Sequence, residues 1–263
     1  MGSATTHALA VTTTALGEAS GVDLEVAGEL FQAARVLGSS SALAGAVSDS
    51  AAAGDARRKV IADVFGPRFS SVAVQLLEAV VVQRWSSADE LVDGVEELAV
   101  RAASVAASDA DLEGELFAFS RTVAENPELE LALGSRMGDN SAKGALVEKL
   151  LDGRAGAATV LVVSGLVQQP RERRVRQALT RALSLVAAQR GRVVATVTVA
   201  TPLSDAQSER LRSTLSARYG ADVALNTVID PSIVGGLRVQ IADDVIDASV
   251  SARLADLRQR LAG

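Results

Sequence analysis

The sequence predicts a mostly α-helical protein: two tandem helical bundles that share a connecting helix, followed by a small α+β C-terminal domain. Three observations carry this expectation. Shifted by 86 positions, the first third of the chain lies over the middle third, so that Glu29-Leu30-Phe31 returns as Glu115-Leu116-Phe117, Arg35 as Arg121, Arg57 as Lys143 and Gln83 as Gln169. Up to residue 192 the apolar residues recur at helical spacing; from residue 193 the period becomes two, the mark of a strand with one buried face. Two copies are too few for an open solenoid, so the duplication reads as two bundles in series, an elongated protein that offers surface to partners. The expected boundaries are 1–107 for the first bundle, 108–192 for the second and 193–263 for the tail, with helix 89–107 belonging to both bundles.

The first helix of the chain is expected over Thr5 to Ala19. The segments Val72 to Val82 and Thr159 to Val167 are apolar on all sides and rich in β-branched residues, so propensity alone would make them strands. Their neighbours are helical, and an isolated strand in a bundle leaves its backbone groups without partners, so both are read as buried central helices. Gly66-Pro67 and Asn126-Pro127 mark turns between helices, and Gly153 to Gly156 a loop. From Asp89 to Ala107 apolar residues recur at Leu91, Val95, Leu98, Ala102 and Val105, in steps of four and three, an amphipathic helix with one core face. Val175, Leu179, Leu183 and Val186 repeat that pattern after the second copy, displaced by 88 because the loop holding Pro170 has gained two residues. Counting back from the second copy, its first helix falls at 91–105, where the last helix of the first copy already stands. One helix is therefore expected to serve both bundles and join them rigidly.

In the tail, Val193, Ala195, Val197 and Val199 alternate with Val194, Thr196 and Thr198 as a first strand. Pro202 closes it, and Ser204 with Gln207 forms a capping box that opens a helix to Arg218, with Leu211 and Leu215 inward. Val223 to Ile229 is a second strand, and Leu237, Val239 and Ile241 alternate with Arg238 and Gln240 as a third. Asp243-Asp244 turns the chain into Val245-Ile246, and Val250, Leu254, Leu257 and Leu261 form the seam of a final helix. The expected order is β-α-β-β-β-α, a small α+β domain.

Composition narrows the function. With 48% hydrophobic and 22% charged residues the chain builds cores, and with only 3% aromatics it builds them from Ala, Val and Leu. A net charge of −6 argues against a general nucleic-acid binder, which would need a basic face. The one basic cluster, Arg171-Glu172-Arg173-Arg174 with Arg176, reads as a solvated helix start or a protein contact, with a nucleic acid or lipid headgroup as the alternative. There is no cysteine, which suits a reducing, intracellular compartment, and the single histidine, His7, leaves metal sites and a His-based triad almost without ligands. Neither a phosphate loop nor a dinucleotide fingerprint occurs. The N-terminal apolar stretch, broken by Thr12, Thr13 and Thr14, does not read as a signal peptide. The longest apolar run falls well short of the about 20 residues that a bilayer span needs. Neither catalytic nor metal nor cofactor-binding residues are expected. Gly235-Gly236 reads as a tight turn into a strand, with an anion site as the alternative, and Trp85 as a packing lid at a helix end rather than a ligand platform.

Two segments of the tail carry a specific resemblance. Ile229-Asp230-Pro231-Ser232-Ile233-Val234-Gly235-Gly236-Leu237-Arg238-Val239, followed by Asp244-Val245-Ile246-Asp247-Ala248-Ser249-Val250 and Arg253-Leu254, resembles the C-terminal signature of the delta subunit of F-type ATP synthase, the family of the mitochondrial oligomycin-sensitivity-conferring protein. Val197 to Ser204 resembles the stretch by which that family enters its C-terminal domain. The resemblance covers the second copy and the tail most directly. It departs in the extra N-terminal bundle, a longer form similar to delta subunits of actinobacteria.

The resemblance implies a non-catalytic peripheral-stalk subunit at the cytoplasmic face of the cell membrane, held there only through the complex. It implies that the helical part grips N-terminal helices of alpha subunits and that the C-terminal domain holds the end of b-type stalk helices, coupling rotation to ATP synthesis. A helical adaptor or scaffold module of another multi-subunit assembly is the alternative. A partner helix in a bundle groove is anchored by apolar side chains at i, i+3, i+4 and i+7. The candidates are Leu9, Leu16, Leu76, Leu77 and Val80 in the first copy, and Val95, Ala102, Val162, Val163 and Leu166 in the second; plain core is the other reading of each. The signature and stalk-side candidates are Asp230, Pro231, Gly235, Gly236, Leu237, Val245, Ile246, Asp247 and Ser249.

Overall fold

The computed structural model describes residues 2–135, 138–171, 173–241, 244–250 and 254, and divides into two compact units, 1–186 and 187–263. The first unit is helical. Its first six helices are α1 (Ser3–Glu18), α2 (Leu24–Ser39), α3 (Ser41–Ser48), α4 (Gly54–Phe65), α5 (Ser71–Val81) and α6 (Ala88–Ala106). After them come α7 (Leu112–Glu125), α8 (Pro127–Gly134), α9 (Asn140–Leu151), α10 (Ala157–Gln168) and α11 (Val175–Gln189), the last running past the division between the units. Short polar side chains fix several starts: Asp23, Ser40, Ser70, Ser87 and Asp111 each accept a bond from the backbone N–H three residues on. Each such cap contributes about 1 kcal/mol. The apolar, β-branched segments are the helices α5 and α10, because bundle burial overrides their strand propensity.

The repeat is physical as well as textual. The Glu29 carboxylate on α2 accepts from the Ser70 backbone N–H at 2.8 Å and from its hydroxyl at 2.5 Å, at the start of α5. Its counterpart Glu115 on α7 accepts from the Gly156 N–H at 2.9 Å and from the Thr159 hydroxyl, at the start of α10. In both copies a carboxylate thus ties the second helix to the N-terminus of the fifth, where the helix dipole favours negative charge. The copies diverge at Arg57 and Lys143. Arg57 donates to the carbonyls of Val81 and Gln83 at 2.6 and 3.1 Å, closing the end of α5, whereas Lys143 donates to the Ser135 carbonyl.

One expectation is corrected in α6. The apolar spacing gave it a single core face, but Val92, Gly94, Glu96, Glu97, Ala99, Val100, Ala103 and Ser104 are buried along with Leu91, Val95, Leu98 and Ala102, while Val105 of the expected face is exposed near the helix end. The reason is its company: α6 packs on α1, α2, α3 and α5 of the first copy and on α10 of the second. Trp85 closes the turn before it, donating its indole N–H to the Val80 carbonyl at 2.9 Å. The ring lies against Gly94, where a Cβ would fall 2.2 Å from a ring carbon.

The second unit contains β1 (Arg192–Val199), α12 (Asp205–Tyr219), β2 (Asp222–Ile229), β3 (Leu237–Ile241) and β4 (Asp244–Asp247), with the sheet order β2-β1-β3-β4. β1 pairs parallel to β2 across the α12 connection and antiparallel to β3, which pairs antiparallel to β4. α12 opens on the Ser204–Gln207 capping box. Ala195, Val197 and Val199 share a core with Leu215, Val223, Val239 and Ile241, while Leu211 packs partly buried against it. Of the seam expected for a final helix, Val250 and Leu254 are helical and exposed; Leu257 and Leu261 lie outside the described residues.

Candidate functional site

The groove candidates chosen by apolar spacing are mostly core. Leu16, Leu76, Leu77, Val80, Val95, Ala102, Val162, Val163 and Leu166 are at most 4% exposed, and Leu9 alone is half-buried. Apolar spacing selects whichever face packs into the bundle, so it finds core. Away from the core, α1 and α5 carry mostly small or polar residues. Thr6, Ala10 and Gly17 are exposed on α1, Gln75 is exposed on α5, and Thr13, Val72, Ala79 and Val82 are half-buried.

In the second copy the same two helices, α6 and α10, have a neighbour: α2 lies against both. Phe31 of α2, 2% exposed, sits on Gly165 of α10, where a Cβ would fall 2.5 Å from its ring, and Gly28 faces Leu161.

Charges complete this packing. The Glu96 carboxylate of α6 meets Arg173 at 2.7 Å, and Glu97 meets Arg181 at 3.1 Å and Arg101 at 2.8 Å. Arg171 pairs with Asp89 at 3.1 Å and Asp93 at 3.0 Å, its backbone held at φ 52, and Arg176 pairs with Glu130 at 2.9 Å. The basic cluster is thus divided: Arg171 and Arg173 meet acids of this same chain, while Arg174 and Arg176 are exposed at the start of α11. Burial pushes the Glu96 carboxyl above its ordinary value, outweighing the downward pull of the Arg173 guanidinium.

In the second unit the signature residues build turns. Asp230 accepts from the Ser232 N–H at 2.9 Å and its hydroxyl at 2.7 Å, and Asp247 accepts from the Ser249 N–H at 2.9 Å. These bonds hold both carboxyls below the usual aspartate range. Gly235 and Gly236 adopt φ 66 and 79, and a Cβ on Gly236 would fall 2.4 Å from the Ala248 carbonyl oxygen. The Ala248 N–H donates to the Leu237 carbonyl at 2.9 Å and the Val250 N–H to that of Gly235 at 3.2 Å. The glycine pair thus lets the backbone leading into β3 lie against the end of β4. Leu237 and Ile246 pack on the core, Ser249 is buried, and Pro231 and Val245 are exposed. Thr196, Thr198, Arg238 and Gln240 line an open cleft of about 520 Å³ together with Asp230 and Asp247.

Residues 98–261 match the family model of the ATP synthase delta (OSCP) subunit. The chain is similar to ATP synthase subunit delta of Leifsonia xyli subsp. xyli, at 51% identity over 267 residues covering 100% of both chains. It is also similar to ATP synthase subunit delta of Streptomyces avermitilis, at 41% identity covering 94% of this chain and 93% of that one. A chain of the Toxoplasma gondii mitochondrial ATP synthase hexamer aligns at 19% identity and a TM-score of 0.38, covering 64% of this chain and 97% of that one, too distant to argue from. The family match begins within α6 and takes in the whole second copy and the tail signature, and the Leifsonia relative extends the similarity through the first copy: this chain belongs to the ATP synthase delta (OSCP) subunit family.

Proposed function

We propose that the chain is a non-catalytic peripheral-stalk subunit of a proton-translocating F-type ATP synthase. Its helical unit holds N-terminal helices of alpha subunits, and its α+β unit holds the end of the b-type stalk. The observation that carries this reading is family membership over a chain built as two compact units of different architecture, one helical and one α+β. No helix among the described residues is long and apolar enough to cross a membrane, so on this reading the chain is held at the cytoplasmic face by its partners.

A stator must resist the torque of the rotor, and resistance requires that the parts holding it do not hinge. We read α6 as the helix shared between bundles 1–107 and 108–192. The support is its burial on every side, its packing on helices of both copies, and its carboxylates Glu96 and Glu97 paired with Arg173 and Arg181 from the second copy. Removing either arginine is costly, because the carboxylate left behind stays buried. In membranes lacking this chain, proton-driven ATP synthesis is lost while the released head still hydrolyses ATP. Coupled synthesis at the wild-type rate in such membranes would contradict the reading and leave an adaptor for another assembly.

A further inference from the structure

We propose that the helical unit carries a small-molecule site in the cleft where α2 of the first copy meets α9 and α10 of the second, and that it takes an organic monocarboxylate with an apolar body, the carboxylate seated on Arg35. The cleft is open and has a volume of about 790 Å³, within the range of small-ligand pockets. Phe31, Leu151, Val160 and Leu161 give it an apolar lining, and Arg35 and Ser164 supply polar groups. The repeat shows what these two groups lack. Shifted by 86, Arg35 becomes Arg121, whose guanidinium is paired with Glu125 at 2.6 Å, one turn further along α7. In the first copy the position of that acid is Ser39, whose hydroxyl donates to the Val36 carbonyl at 2.9 Å. On α10, Ser164 stands where the first copy has Glu78. At two positions around Arg35, then, the other copy has an acid and this place has a serine.

Among the described residues, half-buried Arg35 makes neither a side-chain hydrogen bond nor an ion pair. Asp89 and Asp93, which share a second cleft with it, are held by Arg171 at 3.1 and 3.0 Å. The Ser164 hydroxyl, in a residue 7% exposed, has no partner either. Burial holds the Arg35 guanidinium below its ordinary pKa, with no facing acid to raise it. Polar groups removed from water and left unpaired cost free energy, which an incoming oxyanion recovers. The lining also holds Lys149 together with Glu148 and Asp152, and these two acids disfavour a dianion such as phosphate. A single carboxylate suits the planar fork of a guanidinium, and an apolar body suits the rest of the lining.

The test uses the full chain with sodium octanoate as the probe, and octanol and inorganic phosphate as controls. Titration calorimetry gives one octanoate per chain, with no binding of either control at the same concentrations. Ser39→Glu restores the acid that the second copy has, at an exposed position that leaves the circular dichroism unchanged. By occupying Arg35 it weakens octanoate binding by about tenfold or more, and Arg35→Gln does the same by removing the charge. Arg121→Gln, on the already paired arginine of the second copy, leaves binding unchanged. Because the ligand bridges α2 and α10, octanoate also raises the melting temperature of the wild type and not that of Ser39→Glu. No octanoate bound, octanol bound equally well, or affinity indifferent to Ser39→Glu and Arg35→Gln would overturn the inference. Phosphate bound in place of octanoate would overturn the choice of ligand. The stalk reading stands apart from every one of these outcomes, since the site does not rest on it.

Discussion

Helices α2 and α7 carry the same Glu-Leu-Phe triplet and bind the fifth helix of their bundles through the same carboxylate, yet one phenylalanine is 2% exposed and the other half-buried. The difference is one of position in the stack. Phe31 lies where the first copy meets the second and finds Gly165; Phe117, its counterpart in the second copy, has no such full cover among the described residues. The same contrast runs along α1 and α6. The two copies are thus not equivalent surroundings: the same triplet is covered by the chain itself in the first and only half covered in the second.

The most severe way to break this comparison is to break α6, read above as the helix shared by both copies. Leu98→Pro removes a backbone hydrogen bond and adds a clash in the interior of α6, a cost of about 3 kcal/mol or more. Hydrogen exchange should show protection lost in α1–α5 and in α10 alike. Loss confined to one copy would mean that the bundles do not share α6.

A smaller effect separates the two surfaces directly. Gly165→Leu forces a side chain into the Phe31 ring, and overpacking of this kind costs about 1–3 kcal/mol. Ala79→Leu, at the repeat-equivalent half-buried position, stays within about 0.5 kcal/mol. Denaturant midpoints of the two variants check the pair; equal shifts would mean that the α1–α5 surface is as well packed as the α6–α10 one.

Much of this architecture was legible in the sequence, and what was not has a physical cause. Period and repeat located the helices and the strands, because each is a local pattern or a comparison of the chain with itself. The all-round burial of α6 was not legible. Glu96 and Glu97 look like a solvent face until Arg173 and Arg181, 77 and 84 residues away, are folded onto them. The residues chosen as groove anchors are core for a related reason: apolar spacing marks the face that packs into the bundle. In the tail the glycine pair was readable as a turn because positive φ is glycine's own territory. That Asp230 and Asp247 hold turns through Ser232 and Ser249 needed the geometry.

The central claim, that the two units hold different partners, is tested most directly by hydrogen exchange on the intact chain with two synthetic peptides, one from the alpha N-terminus and one from the end of the b-type stalk. The alpha peptide should protect amides in α1 and α5 and leave 193–263 unchanged. The stalk peptide should protect amides within 193–263 and leave the helical unit unchanged. Protection of the same unit by both peptides, or the reverse pairing, would contradict the claim.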